Sequence, residues 1–401
     1  MRRYFTAYFI LFFASLFLFT GYEAKATQLM GSELYYERLN ATQVKVILKI
    51  YRKCCEDANA ACAPANPAEL GSGSLTIEEL CPGGNTSTLS LSEDSVVDVT
   101  PTCDKGCSQC GLEGDNTPPC PPEAIDPSNP NYDPDNVYDF GIEVYYFSTV
   151  VTIDPNKCAN LRFSWSSCCR NSDITTGLAG KGLYTSASGD FSVINSTPRF
   201  DELPVNILCA NKNYIYSQTA LDSDYDAQGR LTDKIVFSLT EPRGGTNGGT
   251  PLTYNTPYNY QEPLAYVGMG NPPNTGEKRM ASAPLPPNFP DIDFDRQGRI
   301  QGFILDSASG DFLFHPTQSG DRTVVAVKIE EFRNGKKISE INRDVQFIVD
   351  GNCTANNAPV IYGRDNTSDQ SLQNFRVKAC KDGPVSLNVI VHDEDYFRIN
   401  S

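Results

Sequence analysis

The sequence predicts an all-β protein built of tandem β-sandwiches, and three observations lead there. Short alternating runs, and runs of β-branched and aromatic residues, recur along the 401 residues. Pro, Gly, Asn and Asp crowd the stretches between them, and no long segment carries a convincing helical period. Many short strands joined by turn-rich loops must bury one face against another sheet. The length favours two or three such domains.

The chain opens on a secretory signal over residues 1–26. Arg2 and Arg3 give the positive start, Tyr4 to Gly21 is almost wholly apolar, and Ala24-Lys25-Ala26 is a small-x-small cleavage site. A membrane anchor competes for the same apolar stretch, but the cleavage site favours removal, with no membrane insertion afterwards. The strands expected next are Gln43–Tyr51, Val137–Ile153, Asp233–Leu239, Thr323–Phe332 and Val345–Val349. Gly111–Asn136, Pro242–Pro263 and Gly268–Pro290 are too rich in turn residues for regular structure.

An internal repeat sets the expected boundaries. Asn195-Ser196-Thr197-Pro198 is echoed by Asn356-Asn357-Ala358-Pro359, and Asp222 and Asp393 each lie 13 residues beyond a cysteine, Cys209 or Cys380. Each opens an Asp-x-Asp-Tyr, or its acidic variant Asp393-Glu394-Asp395-Tyr396. The expected organisation is a cysteine-rich β domain over 27–194, a sandwich over 195–355, and the start of a further repeat over 356–401. A sandwich needs about 100 residues, so that last repeat is expected to be truncated.

Charge and cysteine content narrow the function classes. A formal net charge of -16 offers no footprint for nucleic acid or for anionic membrane surfaces. Of 14 cysteines, 11 lie between Cys54 and Cys169, which argues for disulfides in an oxidising compartment. Cys103-x-x-x-Cys107-x-x-Cys110 has a spacing that can hold an iron-sulfur cluster, but the exported context favours disulfides. A Cys209–Cys353 bridge would join the first and last strands of the second domain. The sequence carries no H-E-x-x-H, G-x-S-x-G or phosphate-loop motif, and its 2 histidines, His315 and His392, are far apart. No catalytic constellation is expected.

Two loops share the pattern Asp-x-Asp-aromatic-Asp-x-Gln-Gly-Arg-aliphatic. The first carries Asp222, Asp224 and Asp226, with Asp233 at its twelfth position; the second carries Asp291, Asp293 and Asp295. Alternate carboxylates in a tight loop can converge on one hard cation such as Ca²⁺. The competing expectation is a solvated hairpin whose carboxylates cap the turn, and the missing glycine at the sixth position argues against an EF-hand. Tyr254, Tyr258, Tyr260 and Tyr266 form a candidate ligand-binding loop, against the alternative that they pack it onto its own sheet.

Several separated strings resemble the large exported repeat proteins of Bacteroidetes, the gliding-motility-associated or PKD-domain-containing surface proteins. They are Met30–Tyr36, Ile50–Cys54 with Lys53 where that family favours Asp, Ser167–Asn171, Ile194–Phe200, Glu331–Gly335, Arg343–Phe347 and Cys353. The resemblance implies tandem immunoglobulin-like/PKD-like β-sandwich domains with disulfides, secreted to the cell surface and acting without catalysis in adhesion or gliding. It implies a cell-surface protein or glycan as partner, and secretion machinery reached through a C-terminal domain that is expected to be missing from the truncated sequence. The alternative expectation is the carbohydrate-binding part of a larger secreted carbohydrate-active protein.

Overall fold

The computed structural model describes residues 29–53, 74–99, 142–200, 204–218, 220–224, 232–245, 249–269 and 295–351, together with the backbone of three strands between 360 and 392. Every regular element among them is a strand, as the composition predicts. The first half supplies β1 (Leu29–Arg38), β2 (Gln43–Lys53), β3 (Ser74–Glu79), β4 (Thr86–Ser90), β5 (Ser92–Asp98), β6 (Ile142–Thr152), β7 (Asn160–Ser167) and β8 (Leu183–Asp190). Next come β9 (Arg199–Phe200), β10 (Val205–Cys209), β11 (Tyr214–Ser217), β12 (Ala220–Leu221), β13 (Lys234–Thr240), β14 (Arg243–Gly244) and β15 (Thr250–Pro251). Then follow β16 (Ile304–Leu305), β17 (Asp311–Phe314), β18 (Arg322–Arg333) and β19 (Lys336–Asp350).

The main sheet runs β4-β3-β7-β8-β19-β1-β2-β6-β5, with β10 and β18 also pairing with β19, and β13 with β18. Its two ends, β4 and β5, are separated in sequence by Leu91 alone. Consecutive Cα atoms lie about 3.8 Å apart, so the sheet must curl until its ends almost meet, giving a near-barrel. The alternation in β2 shows what fills it: Val44, Val46, Leu48 and Ile50 are buried in the main core, beside Tyr36, Phe163 and Trp165. Gly189 is required there, because a Cβ at that position would lie 2.1 Å from the Tyr36 hydroxyl.

β18 and β19 form the longest hairpin, closed by Asn334-Gly335 with φ of 52° and 77°. Both residues have positive φ, as a two-residue turn matching strand twist requires. β19 pairs with β8 through Ser339–Ile341 and with β1 through Arg343 opposite Glu33. The boundary expected at 194/195 therefore falls inside a shared sheet, and one core holds Leu34 and Trp165 together with Phe237, Phe312 and Phe347. The physical reason lies in β19, whose backbone serves strands from both halves. The described chain up to Val349 is one unit, and a second begins at Asp350. The second unit contains an antiparallel sheet of β20 (Val360–Arg364), β21 (Ser371–Leu372) and β22 (Val389–His392), with β20 central.

Cys81 and Cys158 form a disulfide with Cα atoms 5.7 Å apart, next to the paired strands β3 and β7. Bridging positions 77 residues apart restricts the unfolded chain, an effect on the order of 4 kcal/mol. The sulfurs of the neighbouring Cys168 and Cys169 also lie within disulfide distance, and Cys209 is in a disulfide. Cys353, its expected partner, lies outside the described residues.

Candidate functional site

The first acidic loop is brought against a strand nearly 100 residues further on. Asp222 follows β12, which pairs with β9, and Asp233 directly precedes β13. β13 runs antiparallel to β18 with Ile235 opposite Glu331, so one ladder sets Glu331 beside the end of the loop. Asp222, Asp233 and Glu331 each offer a carboxylate oxygen within 4.8 Å of the others. Asp222 is 5% exposed and Glu331 0%. Two of the three were expected cation ligands from sequence; Glu331 was not among them.

The hydrogen bonds around this cluster are one-sided. Glu331 Oε2 accepts from Asn195 Nδ2 at 2.7 Å and from Ser339 Oγ at 2.5 Å, while Oε1 is buried without a hydrogen-bond partner. Asp222 Oδ1 accepts from the Asp224 amide at 2.8 Å, and its Oδ2 is likewise buried without one. Arg333 engages Asp233, Asp224 and Asn195. Its Nε and Nη2 donate to the two oxygens of Asp233 at 2.6 and 2.5 Å, and Nη2 also reaches Asp224 at 3.2 Å and Asn195 at 2.9 Å. Two of the four neighbouring carboxylates, Asp233 and Asp224, thus share one guanidinium, and Asp222 and Glu331 make no ion pair with it.

That imbalance appears in the acidities. Burial pushes Glu331 up to about 8, opposed by hydrogen bonds from Ser339 and Asn195 and reinforced by the charges of Asp222 and Asp233. Burial raises Asp222 to about 6, and Asp224 is raised for the same principal reason. The Asp233 hydrogen bond, with further help from Asp224, raises Arg333 above its ordinary value. Asp222, Asp224 and Glu331 are held in a place that disfavours their own charge.

The other sequence-predicted residues are dispersed. Asp226, Asp291 and Asp293 lie outside the described residues. Asp295 serves its own turn: Oδ1 accepts from the Gln297 and Arg299 amides, each at 2.9 Å, and Oδ2 pairs with Arg299 at 2.6 Å. Tyr254 and Tyr266 are buried, with hydroxyls donating to Val324 O and to Glu262, and Tyr258 and Tyr260 are half-buried. None of the four presents the exposed ring from which a ligand-binding role was expected. His315 is buried with Nδ1 2.8 Å from Asn213 Oδ1, and burial, then the Arg299 charge, lowers its pKa.

A second polar layer escaped the sequence analysis as a unit. Arg343 pairs with Glu33 at 2.8 Å, donates to Gln218 at 3.0 Å and stands 4.0 Å from the centre of the Phe200 ring. Arg170 donates to the Asp344 carboxylate and the Gly182 carbonyl, and Asn171 to Gln346 and Leu29 O. The strings that carry the family resemblance therefore touch one another. Period two offered a signal, because Val325, Val327, Ile329 and Glu331 alternate along β18, as do Ile341, Arg343, Val345 and Phe347 along β19, and all eight are buried. A charged residue in such a row is a buried charge with a partner elsewhere.

No protein-family model, curated protein or solved structure matches this chain.

Proposed function

We propose that this is a noncatalytic structural and adhesion protein of the extracellular space or cell surface. In this proposal its immunoglobulin-like/PKD-like elements share a sheet, and its partner is a cell-surface protein or glycan encountered in adhesion or gliding. The observation that carries it is the use of the buried charges: Arg343 of β19 pairs with Glu33 of β1, and Asp344 of β19 with Arg170. Charges committed in this way fix the register and mutual packing of strands. Catalysis instead needs them turned towards a substrate cleft. The Cys81–Cys158 disulfide supports an oxidising compartment.

The test is protease treatment of intact native cells, followed by fractionation and immunoblotting. The expected product is envelope-associated and lost on external digestion. A product confined to the cytoplasm, with its cysteines reduced, would overturn the proposal.

A further inference from the structure

The acidic cluster carries an inference that does not depend on where the protein resides or what it adheres to. Three carboxylates converge within 4.8 Å, although they come from the two ends of one loop and from β18. Two of them, Glu331 and Asp222, are more than nine-tenths buried, and each has an oxygen with no hydrogen-bond partner. An ionised oxygen in that condition lacks both water and a donor, and leaving it so is strongly unfavourable. Arg333 is committed to Asp233 and Asp224. The hydrogen bonds from Asn195 and Ser339 hold the Glu331 carboxylate by its other oxygen, as outer partners commonly orient a ligating carboxylate.

We propose that Asp222, Asp233 and Glu331 bind a hard divalent cation, with Ca²⁺ the best fit, which ties the loop between β12 and β13 to β18. An all-oxygen, all-carboxylate donor set selects hard ions over the softer metals that prefer His and Cys. Ca²⁺ tolerates an irregular shell completed by carbonyls and water, whereas Mg²⁺ demands a near-ideal octahedron. The site differs from a loop-only calcium motif because its third ligand comes from a distant strand. Binding therefore fastens tertiary structure.

The test uses the full chain with its disulfides formed, stripped with chelator and titrated with Ca²⁺ or Mg²⁺ in a calorimeter and by thermal melting. Ca²⁺ is expected to raise Tm and bind more tightly than Mg²⁺. Glu331→Gln keeps an oxygen for Asn195 and Ser339 but removes the charge, and should weaken Ca²⁺ by at least about tenfold. Asp222→Asn should do the same and stands in should the first variant fold poorly. Tb³⁺ provides an independent readout, since Tyr36 adjoins Asn195 and Glu331 and can sensitise its emission. Excess Ca²⁺ should quench that emission. Equal Tm in chelator and in millimolar Ca²⁺, or a Ca²⁺ response unchanged in both variants, would overturn the proposal.

Discussion

The two Asp-x-Asp-aromatic-Asp loops read almost alike but end differently. In the second, Asp295 turns back on Gln297 and Arg299 and closes its own bend. In the first, Asp222 and Asp233 are drawn together with Glu331, and Arg333 spans Asp233, Asp224 and Asn195. The difference lies in what stands opposite: β18 carries an acid and a base into the first loop. Alternating carboxylates thus specify a turn, and a facing strand converts the turn into a charged centre.

Removing the base should have the largest effect. Arg333→Ala leaves Asp224 and Asp233 without their guanidinium, beside two further carboxylates. In chelator the variant is expected to lose about 2–3 kcal/mol in urea denaturation, below the full scale for a buried pair because the Arg333 side chain is 24% exposed. Added Ca²⁺ should recover part of the loss. A variant as stable as the parent would place the first loop in the same self-contained class as the second.

Acidity separates the two loops by sign. Glu331 is raised to about 8 and Asp222 to about 6, above their ordinary values of 4.5 and 3.8. Their contribution to stability is complete below those ordinary values and is lost as pH rises through about 6 and then about 8. The groups facing Glu331 are Asp222, Asp233, Tyr36, Asn195 and Ser339. Beside the second loop, His315 is lowered, and Arg299, Asp295 and Asn213 face it. Its contribution is present above 6.5 and fades as pH falls below that value. Metal-free melting curves should therefore show a decline as pH rises from about 4 to about 8 that Glu331→Gln flattens, and a separate decline as pH falls below 6.5 that His315→Gln flattens. Loss of the acid decline in Glu331→Gln would assign both limbs to one loop.

Much of the strand content was legible, because period and β-branched residues need only local sequence. The expected Gln43–Tyr51 and Thr323–Phe332 become β2 and β18 with shifts of at most two residues at an end. β19 was legible only from Val345, because Arg343 and Asp344 interrupt the apolar run. Those charges are buried against Glu33 and Arg170, partners whose distance in sequence conceals the pairing. The same gap separated the halves into expected tandem domains, since a strand's apolar pattern gives the face it buries and leaves its neighbours open. For the cluster, Asp222 and Asp233 were visible as loop acids. Glu331 was concealed among strand residues until the ladder with β13 placed it beside them.

A smaller effect is expected from the amide that connects the centre to the chain entering β9. Asn195 donates to Glu331 and accepts from Arg333. Asn195→Ala leaves both short of a partner, so a loss of about 1–2 kcal/mol is expected in urea denaturation. Ca²⁺ affinity should fall less than in Glu331→Gln, because the amide orients the carboxylate without being a ligand. A larger fall than in Glu331→Gln would move the ligand set towards Asn195.

The smallest effect belongs to the second loop. The Asp295 side chain serves amides within four residues and an Arg299 that is 39% exposed, contacts that water and salt can replace. Asp295→Ala is therefore expected to leave both the denaturation midpoint and the Ca²⁺ response of the full chain unchanged within error. Should this variant abolish the Ca²⁺ response while Glu331→Gln retains it, the cation belongs to the second loop, and the facing strand is not what makes the difference.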